Sequence, residues 1–300
     1  MTSENPAPQQ NPPSPGRRQE FRLESIVYRL TVSATGLLPF RWRGALVGRV
    51  LQAVFLASPR LRRRLRDSLA KALPALGSAE RNAIQRKIPL NFGRTFIEVM
   101  HSRDLKKQSP YFHVSGAGFE ALRQAQDQGR GAIIVGAHFG QWEAVRITMR
   151  EAGMECGGFY RPQKKQSFDI DFLEVLRHFG EPIFAKGYQG TRDMIRYLRG
   201  GGFVGFMLDQ NIQEAPLFDF FGLPAHTVTT AADLALKYDL LVVPAFGVRR
   251  KNTFEVDAVF DDPIPHTTPR EMTQLINDRL EERIRANPDQ WYWWYKRWRL

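Results

Sequence analysis

The amino-acid sequence predicts an α/β fold, in which a mainly parallel central sheet carries helices on both faces and a helical portion precedes it. From residue 111 onwards, short apolar stretches alternate with helical patterns, which is typical of a parallel sheet covered on both faces. Before residue 111 the patterns are helical. The chain has 300 residues, of which 43% are hydrophobic and 25% charged, and this ordinary composition excludes a chain that is disordered throughout or collagen-like.

The first 20 residues are predicted to be a disordered lead-in. Residues 1–16 are rich in Pro, Gln, Asn and Ser, and they lack the charged start and apolar stretch of a secretory signal peptide. The longest uncharged runs that follow, residues 30–40 and 50–59, are shorter than the ~20 apolar residues that span a bilayer. No transmembrane helix is therefore predicted.

Residues 21–110 are predicted to form a basic, amphipathic helical region that docks on a membrane and is continuous with the domain that follows. Five of the seven positions from 60 to 66 are arginine, while leucines recur at every fourth position from 61 to 73. On a helix these leucines form one stripe. Such a helix either packs on the core with a solvated basic face or lies on anionic lipid. Pro89 is expected to end or kink a later helix, over residues 79–100.

The α/β core is predicted to occupy residues 111–300. Short apolar stretches with β-branched centres predict strands, and amphipathic stretches predict the helices between them. The predicted strands are residues 131–136, 154–160, 202–208, 240–248 and 254–260, and the predicted helices are residues 141–151, 168–179, 191–199, 229–238 and 269–286. In sheets of this kind a ligand binds at the carboxyl ends of the strands.

A histidine and a glutamate follow the first of these strands. His138 lies between Gly136 and Gly140, and Glu143 comes five positions later. If His138 ends the strand and Glu143 lies in the first turn of the next helix, the carboxylate can reach the imidazole. A carboxylate on one ring nitrogen fixes the tautomer and leaves the other nitrogen to take a proton. The alternative is a structural histidine that caps the strand.

The sequence from His138 to Glu143 resembles the HX4D/E motif of glycerolipid acyltransferases, and about residues 40–300 resemble the bacterial lipid A biosynthesis acyltransferase family. An HX4E motif alone is a weak signal, whereas six motifs in the family's order are a strong one. The six are Ala137-His138-Phe139-Gly140-Gln141-Trp142-Glu143, Tyr160-Arg161-Pro162, Asp209-Gln210-Asn211, Phe220-Phe221-Gly222-Leu223-Pro224-Ala225, Val243-Pro244 and Asp289-Gln290-Trp291-Tyr292-Trp293.

The resemblance implies an O-acyltransferase that moves a fatty acyl group from a thioester of acyl-carrier protein, or of coenzyme A, to a hydroxyl of a lipid A precursor. It implies a location at the cytoplasmic face of the inner membrane. Since no transmembrane helix is predicted, we expect peripheral attachment there, and the arginine-rich N-terminal region makes the anionic membrane surface an expected partner. His138 would be the catalytic base and Glu143 its acidic partner. Neither a cofactor nor a metal is expected, since the other histidines are scattered without ligand spacing.

Further site residues are expected on the same edge of the sheet. Candidates to bind the acceptor and its phosphate are Arg161, Asp209, Gln210 and either Lys186 or Arg192. Asp209 also fits a helix cap or turn residue. Candidates to line an acyl channel are Phe139, Trp142, Phe220 and Phe221, although the last two also fit plain core. The tryptophans of the last motif suit either a membrane interface or a closing strand or turn: Trp291, Trp293 and Trp294.

Three other interpretations compete with this one. The same chemistry would serve another acceptor, such as a lysophospholipid or a glycolipid. The net charge of +12 also fits a nucleic-acid-binding module, but the sequence has no Gly-rich phosphate loop, aromatic RNA-binding signature or zinc finger, so nucleic acid is not an expected partner. An inactive lipid-binding scaffold has no need of the His138/Glu143 pair. The single cysteine, Cys156, is interpreted as buried and structural.

Overall fold

A computed structural model describes residues 23–162, 166–251 and 253–299, so the predicted lead-in at residues 1–20 lies outside the described residues. The N-terminal portion is helical, as the sequence predicts, and four helices account for most of residues 23–100. They are α1 (Leu23–Gly36), α2 (Phe40–Ala57), α3 (Pro59–Ala72) and α4 (Ser78–Met100). None of the helices within the described ranges is both long and apolar enough to span a bilayer.

The leucine stripe of α3 faces the core of the protein. Leu65, Leu69 and Leu73 are buried, while the arginines at positions 60, 62, 63 and 66 are exposed. Pro59 occupies the first turn of the helix, and the Ser58 hydroxyl accepts a hydrogen bond from the Leu61 amide at its start. Of the two arrangements that the sequence allowed, α3 therefore has the packed helix with a solvated basic face.

Helices α2 and α4 cross in backbone contact. A Cβ atom on Gly93 would lie 2.9 Å from the Gly48 Cα, and one on Gly48 would lie 2.6 Å from the Leu90 carbonyl oxygen. Helix α4 continues through the buried Pro89 as a single helix, so the expectation that Pro89 could end it is wrong. Its packing against α2 and α3 compensates for the backbone hydrogen bond that proline cannot donate.

The remainder of the chain alternates between strands and helices. A short helix α5 (Ser102–Lys106) and a turn of 3-10 helix at Ser109–Tyr111 lead into it. The elements are then β1 (Phe112–Ser115), α6 (Ala117–Asp127), β2 (Ala132–Gly136), α7 (Glu143–Glu151), β3 (Cys156–Tyr160), α8 (Gln166–Phe179), β4 (Ile183–Ala185), α9 (Tyr188–Arg199), β5 (Phe203–Met207), β6 (Leu217–Phe220), β7 (Leu223–His226), α10 (Thr230–Tyr238), β8 (Leu241–Arg249), β9 (Val256–Phe260) and α11 (Pro269–Ala286).

Seven strands form the central sheet in the order β1-β9-β8-β2-β5-β3-β4, and β6 and β7 form a separate antiparallel hairpin. All neighbours in the large sheet are parallel except β8 and β9, which confirms the predicted mainly parallel sheet. Strand β2 lies between β5 and β8, and Gly136 is paired with Met207. The residues two positions beyond each therefore leave the sheet side by side, namely His138 and Asp209.

One cluster of buried apolar side chains joins the N-terminal helices to the hairpin and to the C-terminal segment. It includes Phe55 of α2, Leu69 of α3, Phe220 of β6 and Trp293. This packing holds the C-terminal segment, residues 291–299, against the carboxyl edge of the sheet.

Candidate active site

His138 and Asp209 form a hydrogen-bonded pair at the carboxyl ends of adjacent strands. The His138 Nδ1 lies 2.9 Å from Asp209 Oδ1, and the His138 backbone N–H donates to Asp209 Oδ2 at 3.0 Å. The Asp209 carboxylate is buried, whereas 26% of the His138 side chain is exposed. These two hydrogen bonds fix the direction of the imidazole ring, because one holds the backbone of His138 and the other holds Nδ1 of its ring.

A third donor reaches the same carboxylate from the C-terminal segment. The indole N–H of the buried Trp291 donates to Asp209 Oδ2 at 3.1 Å. The backbone of Trp291 forms an antiparallel bridge with Phe139, the residue after the histidine. The C-terminal segment thus binds Asp209 and the residue that follows His138.

Glu143 is the first residue of α7, as predicted, but its carboxylate contacts a different side chain. It is buried and accepts a hydrogen bond from Arg146 Nη1 at 3.3 Å, one turn further along the helix. The sequence spacing predicts that Glu143 holds a ring nitrogen of His138. Asp209 holds Nδ1 instead, because the neighbouring strand delivers its carboxylate to the level of the ring.

The charges around His138 favour its protonated form. Burial alone lowers the pKa of this imidazole, but the charge of Asp209, the hydrogen bond to it and the charge of Glu143 together raise the pKa above its ordinary value. Burial works against ionisation of Asp209 too, yet the contacts with His138 and Trp291 lower its pKa. Asp209 is therefore ionised, and His138 is a stronger base than a solvated histidine.

The loop between β2 and α7, residues 137–142, is clamped on two sides. Gly140 has a φ of 56°, and a Cβ atom there would lie 1.9 Å from the Gly247 carbonyl oxygen of β8. Its amide donates to the Gln290 carbonyl at 2.9 Å, and its carbonyl accepts from the Thr95 hydroxyl of α4 at 2.7 Å. Only glycine combines this backbone angle with so close an approach.

A buried cluster of charged side chains also holds this loop. Glu98 of α4 and Arg249 of β8 form an ion pair and are 2% and 5% exposed. Glu98 also accepts hydrogen bonds from Arg94 at 2.9 Å and from the side-chain Nε2 of Gln141, in the loop, at 2.7 Å. Burial raises the pKa of Glu98, but the two guanidinium groups outweigh it and lower that pKa. The sequence carries no signal for this pair, because Glu98 and Arg249 are 151 positions apart and so form no local motif.

The basic residues predicted for the acceptor site lie along the carboxyl edge of the sheet and are exposed. Arg161 follows β3, two strands from β2, and Lys186 follows β4, three strands away. At the usual spacing of strands, Arg161 starts about 10 Å from the strand of His138. Arg192 lies on α9, and Gln210 is exposed beside Asp209.

The four acyl-channel candidates divide into two groups. Phe139, Phe220 and Phe221 are buried in the core cluster, so they line no open channel. Trp142 is half-buried, and its ring lies edge-on to His138 with centroids 5.5 Å apart. The centroid of the half-buried Tyr292 ring lies 6.3 Å from that of His138.

The C-terminal tryptophans correct one prediction. Trp291 and Trp293 are buried against the rings of Phe220 and Phe221, so a position at a membrane interface is wrong for both of them. The alternative, a closing turn, agrees with their packing. Within the part of the chain that the structure describes, no group of three or more His, Cys, Asp or Glu side chains is arranged to hold a metal ion.

Comparison with known proteins shows the family of this chain. The family model for bacterial lipid A biosynthesis acyltransferases matches residues 19–300. A lipid A biosynthesis acyltransferase from Haemophilus influenzae is 21% identical over 264 residues, which cover 85% of this chain and 81% of that protein. The family match spans far more than half of the sequence and identifies the protein as an O-acyltransferase. The resemblance inferred from the six motifs is thereby confirmed: the chain belongs to the bacterial lipid A biosynthesis acyltransferase family.

Proposed function

We propose that this enzyme transfers a fatty acyl group from a thioester of acyl-carrier protein, or of coenzyme A, to a hydroxyl of a lipid A precursor, with His138 as general base. The observation that carries the proposal is the asymmetry of the imidazole. Nδ1 is bound to the buried Asp209, and no side chain among the described residues hydrogen-bonds to Nε2 of this partly exposed ring. A base that is held at one nitrogen and open at the other suits proton removal from a hydroxyl.

In the proposed reaction, Nε2 of His138 takes the proton of the acceptor hydroxyl while the oxygen attacks the thioester carbonyl carbon. A C–O bond forms and the carbonyl oxygen gains a negative charge. When this tetrahedral intermediate collapses, the C–S bond breaks and the sulfur takes the proton back from the imidazolium. The negative charge of Asp209 stabilises the imidazolium between these two steps, which agrees with the raised pKa of His138.

The two carboxylates have different roles in this mechanism. Asp209 orients the ring, because its Oδ1 bonds to His138 Nδ1 while its Oδ2 accepts from the His138 amide and from Trp291. A buried anion with this set of donors is unsuited to binding an acceptor phosphate. We therefore assign Asp209 to the catalytic group and not to the acceptor site. Burial raises the pKa of Glu143, while Arg146 and His138 work against this rise, so Glu143 adds less to the raised pKa of His138 than Asp209 does.

The acceptor would lie along the edge that carries Arg161, Lys186 and Arg192. Cations exposed at the carboxyl ends of β3 and β4 suit a phosphorylated lipid, because guanidinium and ammonium groups pair with phosphate oxygens. The half-buried rings of Trp142 and Tyr292 border His138 and offer an apolar surface to the acyl chain.

Helix α2 provides the surface for membrane attachment. Trp42, Leu46, Val50 and Val54 recur at every fourth position, lie on one face of the helix and are 48–68% exposed. The exposed arginines of α3 follow directly in the chain. Apolar side chains next to arginines suit the anionic cytoplasmic face of the inner membrane, where each basic residue contributes ~1 kcal/mol.

The test is an assay of the purified enzyme with acyl-carrier-protein and coenzyme A thioesters in parallel, each offered a lipid A precursor or a lysophospholipid. Mass spectrometry of the lipids should find one new ester on the lipid A precursor, and His138→Ala should lower turnover about 100-fold or more. His113→Ala, which removes a more exposed histidine on β1, is the matched control and should keep full activity. Product on the lysophospholipid alone, or more than a tenth of the turnover left in His138→Ala, would refute the proposal.

A further inference from the structure

We propose that Trp291 is a positioning residue for catalysis: its indole N–H holds the Asp209 carboxylate in the orientation that keeps Oδ1 on His138. This inference rests on the proposed function, since it acts through the Asp209–His138 pair. Trp291 does not qualify as a catalytic residue, because its side chain is 2% exposed and cannot touch a substrate.

The hydrogen bonds of Asp209 explain why a third donor matters. Oδ1 faces the His138 ring at 2.9 Å, while Oδ2 accepts from the His138 amide at 3.0 Å and from Trp291 Nε1 at 3.1 Å. A carboxylate can rotate about its Cβ–Cγ bond, and the two donors on Oδ2 resist that rotation. Charge-assisted hydrogen bonds of this kind are also the stronger ones, so the loss of one weakens the restraint on the pair.

The indole is itself held in place by its neighbours. The backbone of Trp291 is bridged to Phe139. The Trp291 ring packs edge-on against the rings of Trp293 and Phe220, with centroids 4.8 Å and 5.6 Å apart. The position of the N–H is thus set by the hairpin and by the segment that carries the last sequence motif. This gives that motif a role in the site, although none of its residues was predicted to act there.

The adjacent Trp293 provides a matched control. It is equally buried, and its indole N–H donates to the Pro288 carbonyl at 2.6 Å rather than to Asp209. Trp291→Phe and Trp293→Phe each remove one buried indole donor from the same cluster of rings. A loss that depends only on packing should appear in both variants, whereas a loss that depends on Asp209 should appear in the first alone.

The experiment measures kcat and KM of the full-length enzyme, together with the melting temperature. Trp291→Phe should lower kcat about tenfold with KM for both substrates within about twofold, and Trp293→Phe should change neither by more than about twofold at a similar melting temperature. In an Asp209→Ala background, Trp291→Phe should have almost no further effect on kcat, because its target is gone.

Equal losses of kcat in both phenylalanine variants, an unchanged kcat in Trp291→Phe, or the same fold loss in the Asp209→Ala background would overturn the inference. The proposed function fails separately, if His138→Ala keeps more than a tenth of the turnover. An inactive His138→Ala beside a fully active Trp291→Phe would reject the role of Trp291 alone.

Discussion

Removing the charge of Glu98 should destabilise the protein more than the loss of any exposed ion pair would. In Glu98→Gln the side chain keeps its shape, but the guanidinium of Arg249, 5% exposed, loses its buried counter-ion. Breaking a buried pair in this way costs about 3–5 kcal/mol, since one charge is left without a partner in a medium of low dielectric. For a chain of this size about 1 kcal/mol corresponds to about 2 °C, so the melting temperature should fall by about 6–10 °C.

Calorimetry or circular dichroism at neutral pH would measure this change, and the neighbouring residue supplies the control. Arg250 pairs with Glu255 and Asp257 at the surface, where its side chain is 43% exposed, so Arg250→Met should cost less than about 1 kcal/mol. The double variant Glu98→Gln/Arg249→Met should recover part of the loss, because the buried guanidinium of Arg249 is gone and only Arg94, whose side chain is 19% exposed, still lacks its counter-ion. A fall of less than about 2 °C in Glu98→Gln would refute this reasoning.

Three further predictions concern titration, the thiol and the membrane. Because the pKa of His138 is raised, kcat/KM should fall as the pH drops through a value above about 6.5, and Asp209→Asn should move this acid limb to lower pH, as a pH profile would detect. Burial raises the pKa of Cys156 to about 12, so Cys156→Ala should keep most of the turnover and no acyl group should be found on the protein by mass spectrometry. In vesicle sedimentation, ~1 M salt should release much of the protein from anionic lipid, whereas Leu46→Ser/Val50→Ser should weaken binding at every salt concentration.

The sequence predicted most of the fold because hydrophobic periodicity is a local signal. The apolar run of β2 and the leucine stripe of α3 can each be recognised within a few positions of the chain. The prediction for Pro89 also used a local signal, the tendency of proline to break a helix. In the structure, the packing of α4 against α2 and α3 outweighs that tendency. The short strands β1 and β4 were missed, since each has at most four residues and no clear alternation.

The candidate site was only partly predictable, for a related reason. The position of His138 after a strand and between glycines could be recognised locally, but the identity of its partner depends on which strand lies beside β2. The sequence order of strands does not give their order in the sheet, so Glu143, close in sequence, was favoured over Asp209, which is 71 positions away. Trp291, whose indole N–H is the third donor to Asp209, is farther still along the sequence, 82 positions from Asp209.

The backbone contact between Gly48 and Gly93 has a mechanical consequence for an enzyme that works on lipids. It makes α2 and α4 one stiff plate. The outer side of this plate carries the exposed apolar stripe of α2, formed by Trp42, Leu46, Val50 and Val54, and its inner side carries Thr95, which donates to the Gly140 carbonyl in the loop after β2. If the stripe rests in the lipid, the thickness of this plate sets the height of His138 above the bilayer. We expect the enzyme to reach hydroxyls at one depth of the headgroup layer, and a larger side chain at position 48 or 93 to change that depth while leaving the chemistry itself intact.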